Sequence, residues 1–158
     1  MGKKQQGFTL MELLIVIAII IVLAAAVFVA LNPAKRFQDA RDATRASDIG
    51  NVVSALKTSQ VDDGGAYIAA VAALTADTAY QIGTDAAACD AGCTAEATEA
   101  ACADLTELET DGYLGSIPFD PSTGALTKSD YYIMRNTSGT VTVGACDPEG
   151  ADPIVVTQ

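Results

Sequence analysis

The hydrophobic pattern divides the chain into an apolar N-terminal segment and a more polar remainder. Residues 13–31 form an unbroken run of nineteen apolar side chains. Because about twenty apolar residues span a bilayer as a helix, this run predicts a membrane-spanning segment. Two interpretations compete at this point. The run is either a cleaved secretory signal that ends at the small residues Ala24, Ala25 and Ala26, or an anchor that stays in the protein.

A second helical pattern follows Asn32 and Pro33, which interrupt the apolar run. Apolar residues then recur every three or four positions, as on one face of a helix. They are Phe37, Ala40, Ala43, Ala46, Ile49, Val52, Val53 and Leu56. Proline inside a helix removes one hydrogen bond and clashes with the preceding turn. Pro33 therefore marks either the end of one helix or a kink within a longer one.

The rest of the chain predicts short elements separated by turns. Residues 84–102 indicate an irregular loop, and residues 136–139 indicate a hairpin turn. Residues 66–76 predict a short helix or a turn, and residues 103–110 predict one short helix. The predicted strands are residues 80–83, 130–135, 140–143 and 154–156. A helix followed by a small antiparallel sheet is an α+β fold.

Charge and composition exclude several functions. The net charge is −11, and the chain contains no histidine, so Ser-His-Asp and Cys-His catalysis and histidine-ligated metals are excluded. The acids lie mostly beyond residue 58, where Lys128 and Arg135 are the bases. This balance argues against direct binding of nucleic acid. No phosphate-binding glycine loop and no nucleophile beside a base is visible, so we do not expect an enzyme.

Glu12 stands at the start of the apolar run. A carboxylate within hydrocarbon costs roughly 2.5–3.5 kcal/mol on insertion scales, which makes it a functional candidate. A disposable signal has no use for such a residue, so Glu12 favours the anchor. The other interpretation of Glu12 is a residue at headgroup level, where its cost is small.

The sequence from Lys3 to Val16, KKQQGFTLMELLIV, closely resembles the prepilin motif of type IV pilins and type II secretion pseudopilins. The resemblance implies that a prepilin peptidase cuts between Gly7 and Phe8 and that the new N-terminus at Phe8 is N-methylated. It also implies that Glu12, the fifth residue of the mature chain, acts in assembly. Glu12 lies one helical turn from the ammonium that cleavage would create, and it could reach that of a neighbouring subunit.

The resemblance implies a pilin architecture, in which a long helix kinked at Pro33 is covered by a sheet. The expected segments are a leader (1–7), a transmembrane and filament-core helix (8–31), its amphipathic continuation (32–58) and a globular head (59–158). The segment at residues 117–121, Ile-Pro-Phe-Asp-Pro, is weakly similar to a proline–aspartate stretch of major pseudopilins.

The resemblance also implies the function and partners. We expect a structural subunit that polymerises with copies of itself into a type IV pilus-like filament. The alternatives are the major pseudopilin of a type II secretion system and a membrane-tethered binding module. Expected partners are the prepilin peptidase/N-methyltransferase and an inner-membrane assembly platform. The subunit is expected to cross the inner membrane once before assembly and to lie in a surface or periplasmic filament afterwards.

Four cysteines provide the remaining candidate site: Cys89, Cys93, Cys102 and Cys146. Zinc would need all four thiolates, and the second pair is not clustered. An exported head with a thin core makes two disulfides the better expectation. Of the three possible pairings, we favour Cys89–Cys93 with Cys102–Cys146.

No cofactor is expected, with one candidate exception. Major pseudopilins commonly bind calcium near this part of the fold, which makes Asp120, Ser122 and Asp130 weak calcium candidates. The competing interpretation of these residues is a solvated acidic loop.

Overall fold

The computed structural model describes residues 7–158, and this part of the chain confirms the predicted α+β class. Its elements in chain order are α1 (Leu10–Leu31), α2 (Pro33–Asp62), α3 (Ala69–Ala72), β1 (Ala79–Gln81), α4 (Thr106–Thr110), β2 (Tyr131–Arg135), β3 (Val141–Ala145) and β4 (Val155–Thr157). Every predicted strand and short helix has a counterpart within a few residues of its expected position. The predicted leader residues 1–6 lie outside the described residues.

The chain separates into two compact units, Met1–Phe37 and Gln38–Gln158. In the first unit, α1 ends where Asn32 takes a left-handed backbone conformation with φ of 41°. Asparagine tolerates this conformation better than most residues. Pro33 is then the first residue of α2, a position that suits proline because the N–H it lacks would have no helical partner there. The helical pattern is thus interrupted at a single residue, immediately before Pro33.

The second unit contains a four-stranded antiparallel sheet in the order β1-β2-β3-β4. Its centre is the predicted hairpin, in which Tyr131 lies opposite Ala145 and Arg135 lies opposite Val141. Gly139 in the hairpin turn has φ of 84°, a conformation that glycine adopts without steric cost. The edge strand β4, expected at residues 154–156, is confirmed with a shift of one residue.

The core of the second unit forms between α2 residues and one face of the sheet. Ile49 and Leu56 are buried in the same cluster as Tyr131 and Ile133. Tyr132, between those two strand residues, belongs to a separate small cluster, because alternate side chains of a strand point to opposite faces. The Tyr131 hydroxyl also donates a hydrogen bond of 2.8 Å to Asp48 on α2. Helix and sheet are therefore joined by apolar packing and by a specific polar contact.

The four cysteines form two disulfides, but the pairing we favoured is wrong. The structure joins Cys89 to Cys102 and Cys93 to Cys146.

Hydrogen bonds of the loop explain the observed pairing. The Cys89 N–H donates to the Ala100 carbonyl at 2.9 Å, which folds the loop back so that Cys102 lies beside Cys89. The Ala95 N–H donates to the Cys146 carbonyl at 3.0 Å, which holds Cys93 against the residue that follows β3. The longer bridge therefore attaches the loop to the sheet.

Candidate functional site

The predicted processing site lies at the exposed start of α1. Gly7 and Phe8 precede the helix without regular structure, and the Phe8 side chain is 89% exposed. Because Gly7 has no side chain, nothing obstructs a protease on the amino side of the Gly7–Phe8 bond. The bond between Gly7 and Phe8 is therefore in an accessible, non-helical segment, as a protease substrate requires.

Glu12 forms a capping box with Thr9, a contact that the sequence reasoning missed. The Thr9 N–H donates to Glu12 Oε2 at 2.8 Å, and the Glu12 N–H donates to Thr9 Oγ1 at 3.2 Å. Each side chain thus satisfies a backbone donor that has no partner within the first helical turn. The pattern Thr-x-x-Glu before an apolar run is a sequence signature of this motif, so the signal was present.

Helix α1 exposes apolar side chains on all of its faces. None of its 22 residues is buried, and its large apolar side chains are exposed by 48% at Ile15 and up to 81% at Leu10. A helix on the surface of a soluble domain buries one apolar stripe and keeps the other face polar. Among the described residues, the helical stretch Leu10–Asp62 is long and apolar enough to cross a membrane once. This surface therefore requires lipid or other apolar helices around it.

A network of charged side chains centres on Arg45 of α2, which is 1% exposed. Its guanidinium bonds three carboxylates: Asp42 at 2.7 Å, Asp120 at 2.6 and 3.0 Å, and Glu149 at 3.2 Å. Of these contacts, the pair Asp42 and Arg45 is local, because oppositely charged side chains three residues apart on one helix are neighbours. The contacts with Asp120 and Glu149 join distant segments, and no local pattern indicates them.

The calcium candidates are not arranged as a metal site. Asp120 already binds Arg45 through both carboxylate oxygens, the Ser122 side chain is exposed, and Asp130 is buried. In the part of the chain that the structure describes, no group of three or more acidic or cysteine side chains could hold a metal ion. The donor set therefore does not fit calcium as it is arranged here.

The pKa values of the network carboxylates are lowered. For Asp120 and Asp42, burial alone would raise the pKa, but hydrogen bonds from Arg45 and from backbone N–H groups outweigh it. The hydrogen bond from Arg41 is the main cause for Glu149. A lowered folded-state pKa stabilises the fold above the unfolded value near 4, and this contribution is lost as the pH falls through the folded-state value. The network therefore contributes to stability at neutral pH and weakens in acid.

The pKa of Asp130 is raised, in contrast to the lowered pKa values of the network carboxylates. Asp130→Asn is therefore expected to stabilise the folded protein at pH 7 by about 1 kcal/mol. Burial raises the pKa of Asp130, and its Oδ1 is buried without a hydrogen-bond partner. Its charge therefore opposes folding, an effect that sets in above the unfolded value near 4 and is complete above the folded-state pKa. Asparagine is uncharged and tolerates the left-handed backbone at this residue, where φ is 58°.

Thermal unfolding of the full chain in detergent at pH 7 and pH 3 would measure the effect of Asp130→Asn. The gain should shrink toward pH 3, where aspartic acid is also neutral. Asp152→Asn, at an exposed position, controls for the loss of one negative charge. An equal gain in both variants, or no gain at pH 7, would contradict the interpretation of Asp130.

Comparison with known proteins agrees with the geometry of the N-terminal segment. The family model described as the prokaryotic N-terminal methylation motif matches residues 2–28. No curated protein and no solved structure matches the chain. The matched segment contains the Gly7–Phe8 bond, the capping box and most of the apolar helix. This chain therefore carries the signature of the prepilins of type IV pilins and pseudopilins.

Proposed function

We propose that this chain is a major pilin-like structural subunit that polymerises through α1 into a type IV pilus-like filament. The observation that carries the proposal is the start of α1. A methylation motif with an accessible Gly7–Phe8 bond precedes a helix whose apolar surface is exposed on all faces. The motif also indicates a structural subunit rather than an enzyme.

The membrane and the filament are two environments for the same apolar surface. The 22 residues of α1 extend roughly 33 Å at 1.5 Å per residue, about the thickness of a bilayer core. Before assembly, lipid would surround the helix in the inner membrane. In the filament, the helices of neighbouring copies would replace the lipid, and the acidic head would form the outer surface. Transfer between these environments exposes no apolar surface to water, so storage in the membrane is compatible with later assembly.

Processing gives the most direct measurement of this proposal. We expect mature protein to begin at Phe8, after removal of residues 1–7, and to carry one added methyl group at its amino terminus. Intact-mass spectrometry of subunit isolated from the native host measures both changes, and prepilin peptidase deletion is the control that should restore full length. A chain that begins at Val27, after Ala26, would instead identify an ordinary signal peptide.

The main alternative is the major pseudopilin of a type II secretion system. Its support is the Ile-Pro-Phe-Asp-Pro segment at residues 117–121, which is weakly similar to that of major pseudopilins. Shearing cells at native expression and imaging the released material separates the two functions. Filaments that contain this subunit would support a pilus. Processed subunit that stays in the cell envelope would favour a pseudopilus, and unprocessed monomer would favour a tethered binding module.

A further inference from the structure

The Arg45 network contains a positive charge placed where the fold brings several carboxylates together. The guanidinium is buried on α2, and the three acids that it contacts come from three different segments. Removing a guanidinium from water is costly unless its donors are well paired. The planar, forked geometry of arginine suits two-point binding of a carboxylate, and Asp120 is bound in this way.

The carboxylate of Asp120 is buried, and protein donors occupy both of its oxygens. It is 1% exposed and accepts two hydrogen bonds from Arg45, at 2.6 and 3.0 Å. It accepts two more from the N–H groups of Ser122 and Thr123, at 2.8 and 3.2 Å. An ionised carboxylate has about four lone-pair sites. Oδ1 accepts three of these hydrogen bonds and Oδ2 accepts one, so Arg45 and the backbone of the loop together hold both oxygens of Asp120.

The other two acids of the network, Asp42 and Glu149, attach the segment after β3 to α2. The N–H groups of Glu149 and Gly150 donate to Asp42 at 3.0 and 2.7 Å. The side chain of Glu149 bonds both Arg45 and Arg41. The network thus links α2 with the loop that begins at Asp120 and with the segment around residues 149–150.

We propose that Arg45 is the built-in cation of the head and occupies the role that a bound divalent cation would otherwise have at Asp120. Its positive charge neutralises the buried carboxylate and fixes the loop, so the head folds without calcium. The proposal concerns the second unit alone and does not depend on which filament the subunit builds.

The first test compares the thermal unfolding of the full chain in detergent micelles with excess EDTA and with millimolar calcium. The five tyrosines all lie beyond residue 60, so near-ultraviolet circular dichroism reports on the head. We expect the two unfolding midpoints to agree within about 1 °C, because no ligand is gained or lost. A midpoint that falls in EDTA, or rises with calcium in a saturable way, would overturn the proposal.

The second test removes the positive charge. Arg45→Gln should lower the midpoint by about 10 °C, because it leaves Asp120 buried without its counter-charge. Arg41→Gln is the matched control on the same helix and in the same network. The Arg41 side chain is 38% exposed, so its loss should change the midpoint by only about 2 °C. Equal effects of the two variants would contradict a special role for Arg45.

A double-mutant cycle separates charge pairing from packing. Asp120→Asn removes the negative charge at nearly constant volume, and we expect it alone to lower the midpoint. Combined with Arg45→Gln, it should cost clearly less than the sum of the two single changes, because the buried Asp120 charge that Arg45→Gln alone leaves unpaired is then absent. Additive losses would overturn the proposal. If Arg45→Gln does not fold, the comparison of EDTA with calcium on the unsubstituted chain still tests whether the head folds without calcium.

Discussion

Glu12→Gln is expected to leave insertion and cleavage intact and to reduce filament yield at least ~10-fold. We expect the Glu12 carboxylate to pair with the Phe8 ammonium of a neighbouring subunit once both are buried in the filament. Removing one partner of a buried charge pair costs about 2–5 kcal/mol, mostly because the other charge is left unpaired. In the membrane no neighbour is needed, and the neutral side chain makes insertion easier.

The choice of glutamine rests on the capping box. Glu12 accepts hydrogen bonds from the Thr9 backbone and hydroxyl, and glutamine also serves at this position of a capping box. Glu12→Gln therefore removes the charge while it keeps the cap. Thr9→Val is the matched control, since it removes the hydroxyl and keeps the carboxylate and the branched shape.

The comparison of sheared filaments with membrane-retained subunit measures both Glu12→Gln and Thr9→Val. Our proposal expects loss of filaments for Glu12→Gln, accumulation of cleaved subunit in the membrane, and assembly of Thr9→Val. The reverse outcome, in which Glu12→Gln assembles and Thr9→Val fails, would show that capping is the function of Glu12. Normal assembly of both variants would place Glu12 at headgroup level without a role in assembly.

Local patterns account for what the sequence predicted correctly. The nineteen-residue apolar run, the polar hairpin turn and the short apolar strands each depend on neighbouring residues, and each element is found near its expected bounds. The capping box was equally local, because Thr9 and Glu12 are three residues apart. It could have been predicted from the same sequence and was overlooked.

Long-range contacts account for what the sequence did not predict. Arg45 bonds Asp120 across 75 residues and Glu149 across 104 residues. A local sequence pattern does not indicate which distant carboxylate a given arginine will bind. The contact at the calcium candidate Asp120 is of the same kind, since the cation that binds it here is Arg45, from a different element. The disulfide pairing had the same difficulty, because four cysteines allow three pairings and sequence spacing does not choose among them.

Replacing Cys93 and Cys146 together by serine is expected to destabilise the head by about 4 kcal/mol. Their bridge spans 53 residues and joins the irregular loop to the end of β3, so its loss frees a long loop in the unfolded chain. Replacing Cys89 and Cys102 together should cost about 3 kcal/mol, because that bridge spans 13 residues. Denaturant unfolding of each full-length variant in detergent, followed by tyrosine circular dichroism, gives both values.

The same two variants also test the pairing itself. With Cys93 and Cys146 replaced, Cys89 and Cys102 should still form their bridge, so thiol titration of the unfolded, unreduced protein should find no free thiol. The pairing of Cys89 with Cys93 and of Cys102 with Cys146 would instead break both bridges in this variant and leave two unmatched thiols. Two titratable thiols in the monomer, or equal destabilisation of the two variants, would therefore contradict the observed connectivity. Peptide mapping of the unreduced wild-type chain provides the control, since it identifies the two bridged peptides without any substitution.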